Sequence, residues 1–222
     1  MTSICKQIWL PWSRESVLAH ILSNVFLMIM GTLLTNAYTA FYFVEIIFTL
    51  YISAYIKTLQ NNLIKKGIRN EGIYEHHKVI IQLIRDYNEI ISGQLYIEAL
   101  IAPLMPCGDG IMSLKAAQNN EISIVVDNFL RAILDLTPAF VSCVCGQEII
   151  IQMERLHEAT YMSNWYEEKP KIRRDLLMMM TKTTNLTTVN YRLFVRFDYV
   201  LLSAVLKVIY SYFMLMVNLD EN

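Results

Sequence analysis

Residues 199–217 read YVLLSAVLKVIYSYFMLMV, nineteen positions in which Lys207 is the only charge. A helix rises about 1.5 Å per residue, so about 20 residues cross the ~30 Å hydrocarbon core of a bilayer. The stretch therefore reads as a membrane-crossing helix, and the rest of the chain is read outward from it. Upstream, residues 122–151 form a second apolar tract with Pro138 inside it. Residues 89–114 form a third, interrupted by Pro103, Pro106, Gly108 and Gly110. Proline removes a backbone donor and crowds the preceding turn, so a kinked or partly unwound outer end is expected there. Residues 17–56 hold one carboxylate, Glu45, and one histidine, His20, in a tract twice the length of a span. It is either one long helix or a hairpin turning near Gly31 and Asn36. The single helix is favoured, because such a turn needs stronger punctuation.

Composition agrees with this reading. Of the 222 residues only 18% are charged, against about 25% in soluble domains. Glycine (7) and proline (5) are scarce, which argues for helices rather than a barrel. The expected fold is an all-α, polytopic transmembrane bundle of about four spans. Basic residues orient it, since 14 of the 19 lie in residues 57–86 and 154–196. By the positive-inside rule both segments are cytoplasmic, which places the C-terminus outside. That ending disfavours a G-protein-coupled receptor. The segmentation is thus a first span at 17–56, a cytoplasmic helical segment at 57–88, spans at 89–114 and 122–151, a cytoplasmic segment at 154–196 and a last helix at 198–219.

Several function classes drop out. A net charge of −1 creates no field that draws in nucleic acid. Cys5, Cys107, Cys143 and Cys145 lack metal-ligand or disulfide spacing, so no metal or cofactor is expected and the thiols read as packing residues. No phosphate loop, nucleophile elbow or HExxH occurs, and the chain does not read as an enzyme. The first sixteen residues lack the pattern of a signal peptide.

The C-terminal third carries a more specific signal. It contains Cys145-Gly146-Gln147, Ala159 to Tyr161, Asn164-Trp165-Tyr166, Arg173-Arg174-Asp175-Leu176-Leu177, Met178 to Thr181, and Lys207 followed by Tyr210-Ser211-Tyr212-Phe213. In order and spacing this resembles the insect odorant receptor family. Trp9-Leu10-Pro11-Trp12 looks like the outer loop before the family's fourth helix, and His77 falls where the family often has a histidine before its fifth. The resemblance covers what look like the last four of seven helices, with Met1 in an outer loop; an incomplete gene reading or a natural short form is expected.

The resemblance implies a subunit of an odour-gated, non-selective cation channel in the plasma membrane of olfactory sensory neurons. It implies a heterotetramer with a shared co-receptor, surrounded by membrane lipid and gated by a small volatile odorant. The last helix would line the pore, and the helix before it, with Trp165, Tyr166, Arg173, Arg174, Leu176 and Leu177, would anchor subunits together. Leu215, Asn218 and Leu219 fall where the co-receptor has an apolar gate and a neighbouring glutamine. Apolar rings close a pore by expelling water, while an amide serves a hydrated ion; lipid or helix contact is the competing reading. The alternatives to the whole function are a gustatory-type channel subunit and a membrane scaffold or carrier without a pore.

Other positions follow from charge and shape. A mid-bilayer charge costs roughly 2.5–3.5 kcal/mol, so Lys207 should face protein or water, or snorkel to the interface. Asp127, Arg131 and Asp135 form a stripe at four-residue steps; Asp135 is expected deep and paired with Arg131. Glu45 is expected to face the bundle. Phe26, Met30, Tyr38 and Phe41 offer aromatic and thioether surface to an apolar ligand, with lipid or core packing as the competing explanation. His76 and His77 read as a solvated helix face. The sequon at Asn185 is expected to be silent on the cytoplasmic side.

Overall fold

The computed structural model describes residues 17–66, 72–185, 190–191 and 195–220. Helix α1 spans Val17–Lys66, α2 Gly72–Ile101, α3 Leu104–Gln118 and α4 Ile122–Met162. A short 3-10 turn at Trp165–Glu167 leads to α5, Pro170–Asn185. A two-stranded ribbon, β1 Asn190–Tyr191 and β2 Val195–Arg196, pairs antiparallel with Asn190 opposite Arg196. It is followed by α6, Tyr199–Asp220. The outer-loop stretch Trp9 to Trp12 and the sequon beyond Asn185 lie outside the described residues.

The long first tract is one helix. Its polar run is accommodated locally, because Thr35, Asn36 and Thr39 each donate to the carbonyl four residues back, at 2.9, 2.8 and 2.8 Å. These side chains compete for backbone groups without leaving the helix, so Gly31 and Asn36 never become a turn. The chain divides into two compact units, residues 1–44 and 45–222. In the first unit α1 exposes Met28, Leu33, Leu34 and Phe43.

The second unit is built on a three-and-four repeat. In α2 the buried positions are Ile73, His77, Ile80, Ile81, Ile84, Tyr87, Ile91, Leu95 and Glu98, the single-face spacing of an α-helix. Opposite them lie Glu45, Thr49, Ile52, Ser53, Ile56, Leu59 and Leu63 of α1, and Ser142, Cys145, Ile149, Gln152, Met153 and Leu156 of α4. Hydrogen bonds from Ser142 to Glu45 (3.1 Å) and from Gln60 to the Gln152 carbonyl (3.0 Å) tie α4 to α1. The segment 57–88 is therefore two helix ends, the close of α1 and the opening of α2, rather than an element of its own.

Proline breaks the third tract as expected. Helix α2 ends at Ile101, and α3 restarts at Leu104 behind Pro103. Pro138 behaves differently and stays inside a continuous 41-residue α4. Between α3 and α4 the chain reverses at Asn120, whose φ is 58°. Asparagine tolerates this left-handed conformation. It lets Glu121 donate to the Ala116 carbonyl at 2.9 Å and Asn120 to Ala117 at 3.1 Å, closing the end of α3.

Among the described residues, three helical stretches are long and apolar enough to cross a bilayer, Ile21–Ile64, Gly93–Gln118 (which takes in the end of α2 and all of α3) and Ile122–Met162, and Tyr199–Leu215 adds a shorter apolar helix. With 22 residues α6 extends about 33 Å at the standard rise. Ile47, Phe129, Leu134 and Val200 are all more than 60% exposed. In water such a surface is costly, whereas lipid tails are as apolar as the side chains themselves. The fold is that of a polytopic helical membrane protein.

Candidate functional site

The last helix is held at its root by a joint with α4. A β-carbon on Gly146 would overlap the carbonyl oxygen of Phe197, so only glycine lets the two backbones meet. Phe197 is itself fully buried. The next residue, Asp198, caps α6: its Oδ1 accepts the Leu201 N–H at 2.9 Å, while its Oδ2 pairs with Arg196 Nε at 2.8 Å. A side-chain oxygen there satisfies one of the unpaired N–H groups of the first turn. Gln147 accepts the Tyr199 N–H at 3.4 Å. Two of the three residues in the Cys145-Gly146-Gln147 motif thus position the start of α6, while buried Cys145 turns the other way, toward Thr49 of α1. The sequence reading noted the motif without this role. An aspartate immediately before an apolar run was the available signal for the cap.

Above the root, α6 has two faces. Val205 is buried with Ala102 and Ala139, and Leu136, Leu201 and Ile209 pack around them. Further out, the ring of Phe213 sits where a β-carbon on Gly110 would come within 3.2 Å. The packed positions 201, 205, 209 and 213 recur every four residues, one stripe of a helix. On the opposite face Lys207, Ser211, Leu215 and Asn218 are exposed. Three of the four expected pore residues thus share one face, and the side chain of Leu219 lies outside the described set.

The anchor residues separate into two groups. Leu176 is completely buried, with Met179 and Thr183 on the same side of α5. That corrects its expected place at a subunit interface: Leu176 fastens α5 to its own bundle. Arg174, Tyr166 and Leu177 are exposed, while Trp165 and Arg173 are half-buried. The seam under α5 contains His77, whose Nε2 lies 3.0 Å from Thr183 Oγ1. Burial, aided by the nearby Lys182 charge, lowers the His77 pKa to about 4. His76 is half-buried with its ring edge against Tyr55, at 5.1 Å between centroids. The pair is not a solvated face, because α2 turns it into the bundle.

Two other expectations change. Arg131 pairs with Asp127, not Asp135, at 2.9 Å. Helical side chains lean toward the N-terminus, so the guanidinium reaches the preceding turn. Asp135 is exposed, with Asp109 of α3 beside it. Phe26, Met30, Tyr38 and Phe41 share one face of the outer half of α1, where the first three are exposed and Phe41 is half-buried. The concave surface on that half is lined by others, among them Leu27, Gly31, Thr35 and Asn36. Among the described residues no cluster suits a metal ion, and Cys107, Cys143 and Cys145 are free thiols.

A bundle of long apolar helices closed by a capped, two-faced terminal helix defines a multi-pass membrane protein. Comparison with known proteins narrows the class. A family profile described as 7tm Odorant receptor matches residues 2–210. Odorant receptor 42a of Drosophila melanogaster is 24% identical over 108 residues, covering 49% of this chain and 26% of that protein. The odorant receptor coreceptor of Aedes aegypti is 21% identical over 145 residues, or 65% of this chain and 30% of that one. Among solved structures, the insect olfactory receptor OR5 from Machilis hrabei, in complex with eugenol, superposes with a TM-score of 0.71 at 16% identity. That superposition covers 95% of this chain and 56% of the other. This chain belongs to the 7tm odorant receptor family. It spans less than a third of the length of these curated relatives.

Proposed function

We propose that the chain is a subunit of an odorant-gated, non-selective cation channel acting in olfactory neurons, with α6 as the pore-lining helix. The observation that carries this reading is the division of α6 into a face packed on α3 and α4 and an exposed face bearing Lys207, Ser211 and Asn218. Polar and charged groups on a lipid-facing stripe are costly. Around a shared aqueous axis, copies of that stripe would meet water and ions instead, with Leu215 and Leu219 as the apolar constriction and Asn218 as the polar ring. The joint at Gly146 and Asp198 would transmit a rearrangement of α4 to the root of α6. The exposed groups of the anchor, Tyr166, Arg174 and Leu177, would meet neighbouring subunits, and the likeness to coreceptor proteins supports a heterotetramer with a co-receptor. In this arrangement the C-terminus lies outside the cell. A small volatile odorant would act by binding the open arrangement more tightly than the closed one.

Cysteine substitution along α6, in a complex assembled with co-receptor, tests the assignment. Charged thiol reagents should modify current through Ser211→Cys and Asn218→Cys and leave Val205→Cys untouched. Equal modification on both faces, or none on either, contradicts a pore-lining α6.

A further inference from the structure

The second unit encloses an acid that the channel reading does not use. Glu45 lies in the middle of α1 and is fully buried. Its Oε2 accepts from Ser142 Oγ of α4 at 3.1 Å, and its Oε1 has no hydrogen-bond partner. From α2 two groups act around it: buried Tyr87, and Glu98, a second buried carboxyl that accepts from Gln94 at 3.3 Å. From α4 come the buried thiols Cys143 and Cys145. None of these groups is a cation, and Glu98 opposes a second negative charge beside it. Lys57, about three turns further along α1, is engaged with Glu148 at 4.0 Å.

A buried carboxylate with one hydroxyl donor and no positive charge beside it is far costlier than the neutral acid, so such a group keeps its proton. Its place in the bundle gives that proton a consequence. Ser142 stands one helical turn before Gly146, the residue that meets the Phe197 backbone at the root of α6. Cys143 lies within electrostatic range of both Glu45 and the cap residue Asp198. The acid that ties α1 to α4 is therefore one turn from the joint that aims α6. We propose that Glu45 is a proton-binding site that latches α1 to α4 beside the root of α6. With its proton the acid fits the closed seam. When the carboxyl O–H bond breaks and water takes the proton, the charge left behind draws water in and parts α4 from α1. Gly146 moves with α4 and shifts the root of α6. The effect on current rests on the pore reading of α6, whereas the latch itself does not.

The test uses the purified chain in lipid nanodiscs, melted across a range of pH, with infrared spectra recorded alongside. The folded chain holds a proton that the unfolded chain, its carboxyl in water, gives up, so stability should fall as pH rises. The melting temperature should decline from about pH 6.5 upward, above the range in which an ordinary histidine titrates. Glu45→Gln, an isostere of the neutral acid, should flatten that decline and melt higher than wild type at alkaline pH. The infrared spectrum at neutral pH should contain the C=O band of a protonated carboxyl group, and Glu45→Gln should remove it. Ser142→Ala takes away the one donor to the charged form and should move the decline to higher pH. That shift, with the wild-type band, decides the matter if Glu45→Gln does not fold. Glu121→Gln, an exposed acid, should change neither readout. In the complex with co-receptor, alkaline solution at the cytoplasmic face should alter the ligand-free current of wild type and not of Glu45→Gln. A carboxyl band and a pH decline that both survive Glu45→Gln overturn the latch. A current indifferent to that pH change, in a chain whose melting follows it, overturns the link to α6. Absence of any current, with melting and spectra as stated, removes the pore reading and leaves the latch.

Discussion

The root of α6 and its exposed face lie on the same 22-residue helix, yet they obey opposite rules. At the root every feature is closed: Gly146 admits the Phe197 backbone, Asp198 caps the first turn and holds Arg196, and Gln147 meets Tyr199. Four residues past the cap, Leu202 still packs, but from Lys207 outward one side carries exposed groups. A closed joint fixes where the helix starts and how it points. An open face leaves its chemistry to whatever it meets in an assembly. Stability is therefore concentrated at the root, and substitution should separate folding from permeation along one helix.

The sharpest way to break that contrast is Gly146→Ala. A methyl group placed on a backbone carbonyl cannot be relieved by a rotamer change, so the two segments must part. We expect a loss of about 3 kcal/mol, the upper range for overpacking, read as a collapse of thermal stability and surface expression. Normal expression would return the joint to ordinary packing.

A second closed seam, between α2 and α5, should show as pH dependence of nearly the same size. His77 has a folded pKa of about 4 against an ordinary value near 6.5. Between those values the unfolded chain binds a proton that the folded chain refuses. Stability from the neutral buried imidazole is thus fully present above about pH 6.5 and is lost as pH falls toward 4, by about 3 kcal/mol in all. Melting temperature measured across that window should fall in the wild type and flatten in His77→Gln.

Asp198→Ala should cost less, about 1–2 kcal/mol, because a cap and a partly exposed ion pair are lost without a clash. Chemical denaturation in detergent measures it, and Asp198→Asn should recover most of the cap but not the pair. On the open face the effect on stability should vanish. Asn218→Ala is expected to stay within about 0.5 kcal/mol of wild type while shifting the reversal potential of the assembled channel. Unchanged permeability would remove Asn218 from the pore.

Much of the architecture was readable from spacing. The four apolar tracts and the break near Pro103 follow from hydropathy and proline chemistry, which act along the chain, whereas the anchor helix was implied by the family resemblance. The buried side of α2 follows the helical repeat, with apolar residues at three- and four-residue steps. Its histidines were not readable in advance, because a periodic pattern does not reveal which polar residue a neighbouring helix will cover. The same limit explains Arg131, whose partner was decided by the lean of its side chain, and Leu176, whose burial depends on α4 and α2 rather than on α5.

By itself, then, the sequence determined that this is a helical membrane protein, roughly where its helices run, and which residues of α6 share a face. Those properties depend on the solvation of backbone and side chains and on a fixed helical repeat. Only the tertiary structure decided that Gly146 and Phe197 touch, that His77 closes on Thr183, and that Glu45 is enclosed with an oxygen left over. Such contacts join residues up to 106 positions apart, and no local rule relates them until the helices have packed.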